Sequence, residues 1–324
     1  MKLKKILSLA LALILAFSAL ALTSCSKNKT YNVGVIQLVT HDALDAATEG
    51  FIQALKDKLG EENVTIDVQN AASSPDTCAT IANSFVTKNV DLIMANATPA
   101  LQAAYNATQT IPILGTSVTE YGVALGIENF TGTVGGNVSG TSDLASLDDQ
   151  AQMILDIVPT AKKVGMLYCS AEANSDYQVK KVTEYLAAKG IECQNFEFSD
   201  SNDVSTVVGN AVAWSDVLYI PTDNTAASCA ETIYGAMGNN KKPIIAGEAG
   251  ICAGCGIATL SISYYDLGYK TGEMAAQILT GEADIATMAV AYAPQAVKKY
   301  NAAICADLGI DVEALKAAGY VALD

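Results

Sequence analysis

From Tyr31 onward, short β-branched apolar runs alternate with longer segments whose apolar residues recur every three or four positions. That alternation is the signature of helices packed on a parallel sheet. Asn32–Val39 reads as a buried strand, and Asp42–Leu59 as a helix with an apolar stripe through Ala43, Ala47, Phe51 and Leu55, closed by Gly60. Strands follow at Val64–Gln69, Asp91–Ala95 and Ile111–Thr116, with helices at Pro75–Thr87 and Pro99–Thr108 between them. The plan then restarts with strands at Lys163–Cys169, Glu192–Phe198, Asp216–Ile220 and Pro243–Gly247. Helices at Asp176–Lys189, Val204–Ala213 and Thr225–Met237 separate them. VGVIQL matches VGMLYC, and DLIMANATPA matches DVLYIPTDNTAA, in the same order. The duplicated plan predicts two similar lobes.

Between the halves, Glu128–Leu147 is rich in Gly, Thr, Ser and Asn and reads as a crossover. A helix at Leu267–Leu279 has no counterpart in the first half. The expected division is therefore residues 31–140 plus about 265–285 in the first lobe, and 141–264 plus about 286–324 in the second. Repeated crossing makes a hinge suited to closure about a ligand.

Residues 1–25 differ from the rest. Lys2, Lys4 and Lys5 precede an apolar run from Ile6 to Leu22, and Leu22-Thr23-Ser24-Cys25 has the form of a lipobox. We expect residues 1–24 to be a signal peptide, Cys25 to be lipidated, and residues 25–30 to tether the domain outside the cytoplasmic membrane. A short membrane anchor is the alternative at this length.

Composition narrows the function. All 19 basic residues of the 324-residue chain are Lys, which removes mechanisms built on a guanidinium. The single His, His41, excludes multi-histidine metal sites. A net charge of −15 argues against a nucleic-acid partner. No P-loop, dinucleotide fingerprint or G-x-S-x-G occurs, so neither a cofactor nor catalysis is expected. Cys252-Ala253-Gly254-Cys255 is the most enzyme-like motif. With strand expected at Gly256–Ser263 and no second such pair, it reads as a local disulfide or plain loop thiols, with an oxidoreductase as the minor alternative.

In open α/β sheets, ligands bind beyond the carboxyl ends of the strands. The loops there are Gln37–Asp42, Asn96–Pro99 and Thr116–Glu120 in the first half, and Ser170–Asp176, Pro221–Asn224 and Glu248–Ile251 in the second. Taken singly, Thr98, Ser117, Ser175 and Asp223 read more readily as helix N-caps than as ligand contacts. Facing one cleft, the loops suit a zwitterion. Backbone N–H groups with Thr98, Thr116, Ser117 or Ser175 would hold a carboxylate, and Asp223, Glu172 or Glu248 an ammonium. Asn174 and Asn224 could donate or accept, His41 would line the cleft or cap a helix, and Tyr264 and Tyr265 could offer apolar faces. Gln37 and Thr222 belong to the same candidate loops.

The segments VGVIQLVTHDALDAATEGF, GGNVSGTSDL, YIPTDN and YYDLGYKTGEMAAQILTGE resemble the ABC transporter substrate-binding family that includes tryptophan- and tyrosine-type binding lipoproteins. The resemblance runs in order from about Tyr31 to the C-terminus. It implies a type I periplasmic-binding fold, two Rossmann-like α/β lobes with parallel sheets, without catalysis. It further implies a small-molecule ligand, an amino acid and in several relatives an aromatic one, delivered to a membrane permease and its ATPase. Thr98, Ser117, Asn174, Ser175, Asp223 and Asn224 fall where its ligand-contacting loops belong. Glu248 departs from an Asp in similar chains, which bears on specificity. A ligand sensor of the same fold, presenting its closed form to a receptor, fits the sequence as well.

Overall fold

The computed structural model describes residues 30–293 and 296–323, so the signal, Cys25 and most of the tether lie outside the described residues. The first half builds β1 (Tyr31–Gln37), α1 (Asp42–Leu59), β2 (Val64–Asn70), α2 (Pro75–Lys88), β3 (Leu92–Asn96), α3 (Thr98–Ala107), β4 (Ile113–Val118), α4 (Tyr121–Leu125) and β5 (Val138–Ser142). After a crossover come α5 (Leu147–Ile157), β6 (Lys163–Cys169), α6 (Ala173–Ala188), β7 (Glu192–Phe198), α7 (Val204–Trp214) and β8 (Val217–Ile220). The second lobe continues through α8 (Asn224–Ser228), α9 (Ala230–Ala236), β9 (Ile244–Ala246), α10 (Ala249–Gly254) and β10 (Ala258–Ser261). The chain then returns to the first lobe for α11 (Tyr264–Thr280) and β11 (Ala291–Tyr292). It finishes in the second with β12 (Val297–Tyr300), α12 (Ala302–Leu308), α13 (Val312–Ala317) and β13 (Val321–Ala322).

Two sheets result, ordered β11-β5-β4-β3-β1-β2 and β13-β12-β10-β9-β8-β6-β7. Strand pairs are parallel except β10 with β12. Each central strand is buried on both faces, as expected of parallel strands covered by helices. In β1, Val33 and Val35 face Phe51, Leu55 and Met274. Ile36 faces the other way, into a cluster with Phe85 and Leu101. The second sheet repeats the arrangement, with Met166 and Tyr219 on one face and Leu167, Leu218 and Ile220 on the other.

Some elements depart from the sequence expectations. Helix α6 begins at Ala173, three residues before the expected Asp176, so Asn174 and Ser175 lie in its first turn. The helix expected over Thr225–Met237 breaks at Cys229 into α8 and α9. The return to the second lobe comes after Tyr292, not near residue 286, because Ala291 and Tyr292 pair with Thr141 and Ser142 of the first sheet. Cys252 lies within α10 and Cys255 caps its end, rather than in a loop. Both are free and fully buried. Burial pushes both thiols upward, away from the reactive thiolate.

Candidate functional site

The carboxyl ends of the two sheets face each other across a cleft. In the first lobe, α1 and α3 start with His41 and Ala97 at their N-caps, and neither position supplies a side-chain cap. Their first N–H groups and positive dipole ends are left open. In the second lobe carboxylates close the starts of α8 and α10, whereas α6 begins after Glu172 with no side-chain cap.

Asp223 caps α8, its Oδ1 accepting from the Ala226 N–H at 2.7 Å. Its Oδ2 accepts from the Cys169 N–H and the Ser175 hydroxyl, each at 2.7 Å. Glu172 reaches the same helix, its Oε2 accepting from Asn224 N–H and its Oε1 from Thr225 N–H, at 3.0 and 2.8 Å. Glu248 caps α10 through the N–H groups of Gly250 and Ile251. Asp223 and Glu248 are almost fully buried. Burial raises both carboxyls, and the nearby Glu172 charge raises Asp223 further. Opposing this, His41 across the cleft favours the charged form of Glu248.

Asp143 stands apart. It lies in the crossover after β5, 4% exposed, and its Oδ2 accepts from the Tyr264 hydroxyl at 3.0 Å. Burial pushes this carboxyl up to about 6, although the hydroxyls of Tyr264 and Thr119 favour its charge. Its Oδ1 has no hydrogen-bond partner, and neither do Asn174 Oδ1 and Ser117 Oγ. All three residues line one small cavity between the lobes. Buried polar atoms are rarely left unpaired, and three of them meet in this one cavity. Ser117 also adopts φ 52°, a left-handed conformation uncommon outside glycine.

The cavity brings together His41, Ser117, Asn174, Thr222, Asp223, Asn224 and Glu248 of the sequence candidates. His41 also spans the cleft, its Nε2 lying 3.4 Å from Asn224 Oδ1. The remaining candidates lie elsewhere. Gln37 is buried behind the site, locking β1 to α1 through Asp45 and Thr48. Thr116 pairs with Thr141 inside the first sheet, and Ser175 supports Asp223 from behind. Thr98 is buried at the start of α3. Tyr265 is 37% exposed and stacks on Tyr269, whereas its neighbour Tyr264 lines the cavity.

The lining also includes Thr119, inside the expected Thr116–Glu120 loop, and Leu44, Asp143 and Ala227, which sequence reasoning missed. The signal available for Asp143 was its place in the Gly- and Ser-rich crossover, where few residues carry charge. A second chamber of about 250 Å³ is lined by residues of both lobes. Leu38, Pro75 and Pro99 wall it on one side, and Cys169, Ala171 and the Ser199–Asn202 loop on the other.

A family model described as ABC transporter substrate binding protein matches residues 32–320. A tyrosine-binding protein of Clostridioides difficile is 41% identical over 298 residues, which cover 87% of this chain and 86% of the relative. An ABC domain from Streptococcus pneumonia, crystallised with L-Trp, shares 30% identity and superposes with a TM-score of 0.85, covering 90% of this chain and 100% of that one. The ligand-free, open structure of a substrate-binding protein with adhesive properties from Clostridium difficile is more alike in sequence, at 37%. It covers 91% of this chain and 99% of its own, yet its TM-score is 0.67. The present structure thus superposes better on the L-Trp complex than on that ligand-free, open structure.

Proposed function

The chain belongs to the ABC transporter substrate-binding protein family, with the type I periplasmic-binding fold, and from that premise we propose that it captures an aromatic amino acid in the interlobe cleft and hands it to an importer's permease and ATPase. Members of this family bind solutes and do not catalyse, and they work outside the cytoplasm. Among the described residues no helix is long and apolar enough to cross a membrane. Cys25, lipidated after removal of residues 1–24, would supply the anchor.

The observation that carries the ligand reading is the set of unpaired buried atoms of Ser117, Asp143 and Asn174, contributed by both lobes and the crossover. A ligand that pairs them gains most when the lobes are shut, which couples binding to closure. The ammonium faces Asp143, and the α-carboxylate faces the uncapped start of α1 and the Ser117 hydroxyl. The relatives named for tyrosine or crystallised with L-Trp direct the choice of side chain. The second chamber, of mixed lining with Leu38, Pro75 and Pro99 on its first-lobe side, is the space offered to it.

Isothermal titration of the domain from Lys27 onward, refolded to strip carried-over ligand, tests this reading. Selective binding of Tyr, Trp or Phe over the other amino acids is expected; no binding of any aromatic amino acid overturns the ligand assignment. The anchor has its own test. Replacing Cys25 by Ala should release the protein from membranes, and retention as an integral membrane protein would mean the segment is an uncleaved anchor.

A further inference from the structure

We propose that Gln178 is a positioning residue of the site: it locks the backbone of Thr222 and through it turns the side-chain oxygen of Asn174 into the cavity. This rests on the ligand reading above and adds to it a residue that does not itself line the cavity.

Gln178 lies on α6 one turn after Asn174, on the same face of the helix. It is 1% exposed, and both ends of its amide are engaged. Its Oε1 accepts from the Thr222 N–H at 3.1 Å, and its Nε2 donates to the Thr222 carbonyl, also at 3.1 Å. One side-chain amide therefore pairs with both polar backbone groups of a residue just past the end of β8, as a neighbouring strand would. Nε2 also donates to the Asn174 carbonyl at 3.0 Å, which ties the pairing to the first turn of α6. Val179, Val182 and Leu186 fill the other buried positions of this helix. A buried amide among them carries a desolvation cost that only such pairing offsets.

The Thr222 carbonyl is the pivot. Asn174 Nδ2 donates to it at 3.0 Å and to Glu172 Oε2 at 3.2 Å. With its hydrogens directed at these acceptors, the Asn174 amide presents Oδ1 to the cavity, where that atom is buried with no protein partner. Gln178 fixes where the carbonyl stands, and the carbonyl fixes the Asn174 amide. The adjacent Asp223 is held separately by Cys169, Ser175 and Ala226. Loss of Gln178 thus loosens Thr222 and Asn174 without releasing the acid beside them.

The experiment compares Gln178→Met, which keeps the length of the side chain and removes its amide, with Val182→Ala, which thins the buried face of the same helix. The refolded protein is titrated with L-tyrosine and L-tryptophan. Gln178→Met is expected to weaken binding about tenfold in the wild-type background and no more than about twofold in the Asn174→Ala background. Val182→Ala should lower the melting temperature yet keep affinity within about twofold. Unchanged affinity in Gln178→Met, an equal loss in both backgrounds, or a matching loss in Val182→Ala overturns the positioning role. Gln178→Leu takes the place of the methionine variant should that one not fold. A second readout needs no ligand. In protein carrying isotope-labelled asparagine, the Asn174 side-chain amide is identified by its disappearance in Asn174→Ala. Its hydrogens should exchange with solvent about tenfold faster or more in Gln178→Met, and unchanged exchange overturns the proposal. If the wild type binds neither amino acid, the ligand reading fails, and the exchange measurement still decides the role of Gln178.

Discussion

The Asp143 carboxyl gives the site a pH dependence whose sign follows from its surroundings. Burial raises it to about 6, with Tyr264, Glu248 and Tyr121 among the ionisable groups that interact with it. A bound ammonium requires the ionised form, so below pH 6 ligand and proton compete. Affinity should fall about tenfold per pH unit there, and titrations at pH 5 and 7.5 should differ by roughly that factor. Asp143→Asn should abolish the difference. For the empty protein the sign is opposite. Because the folded value lies above the unfolded one, Asp143 favours folding at low pH, and that advantage is lost as pH rises to about 6. Holding the charge at neutral pH costs on the order of 2–3 kcal/mol. The Asn variant should therefore melt higher than the wild type at pH 7.5 while binding worse, and a lower melting point would refute that account. Asp223 differs because its oxygens are committed to Cys169, Ser175 and Ala226. The sequence identified Asp223 as a loop acid but could not tell a committed carboxylate from an open one. That distinction depends on partners 48 and 54 residues away.

At the scale of elements, the late helix α11 completes the first lobe by lying on α1 with the two backbones in contact. A Cβ built at Gly268 would stand 1.9 Å from the Ala47 carbonyl oxygen. One at Gly50 would stand 2.1 Å from the Tyr265 carbonyl oxygen, and one at Gly272 would lie 2.6 Å from Phe51 O. Backbone cannot give way as a flexible side chain can, so Gly268→Ala should cost roughly 1–3 kcal/mol. A thermal melt falling by several degrees is expected, and an unchanged melt would show that the helices separate freely. The periodicity of apolar residues made α1 and the body of α11 legible, because one buried stripe sets both. Three features were not legible. The start of α6, the break at Cys229 and the pairing of β11 are decided by contacts between segments. Glu172, for example, spends its carboxylate on α8 rather than on its own helix. Likewise Tyr264 and Tyr265 are equivalent by pattern, and only the direction in which α11 leaves the crossover turns the first into the cavity and the second outward.

The whole molecule is a pair of α/β lobes joined by crossovers, and its function lies in the equilibrium between open and shut. The two lobes were visible in the repeated plan of the sequence; their closed spacing was not, since it depends on groups that meet only across the cleft. One such meeting is His41 with Asn224, at 3.4 Å. A hydrogen bond of that length contributes modestly, roughly 0.5–1.5 kcal/mol. It exists only when the lobes are shut, so it should act on the closed complex and leave the stability of each lobe alone. His41→Ala is therefore expected to speed ligand release by roughly two- to tenfold, the same energy expressed as a rate. Stopped-flow displacement should detect this while the ligand-free melt stays unchanged, because α1 draws no side-chain cap from His41. Unchanged release would mean that closure is held by the ligand's own contacts with Asp143, Asn174 and Ser117, and that His41 only lines the entrance.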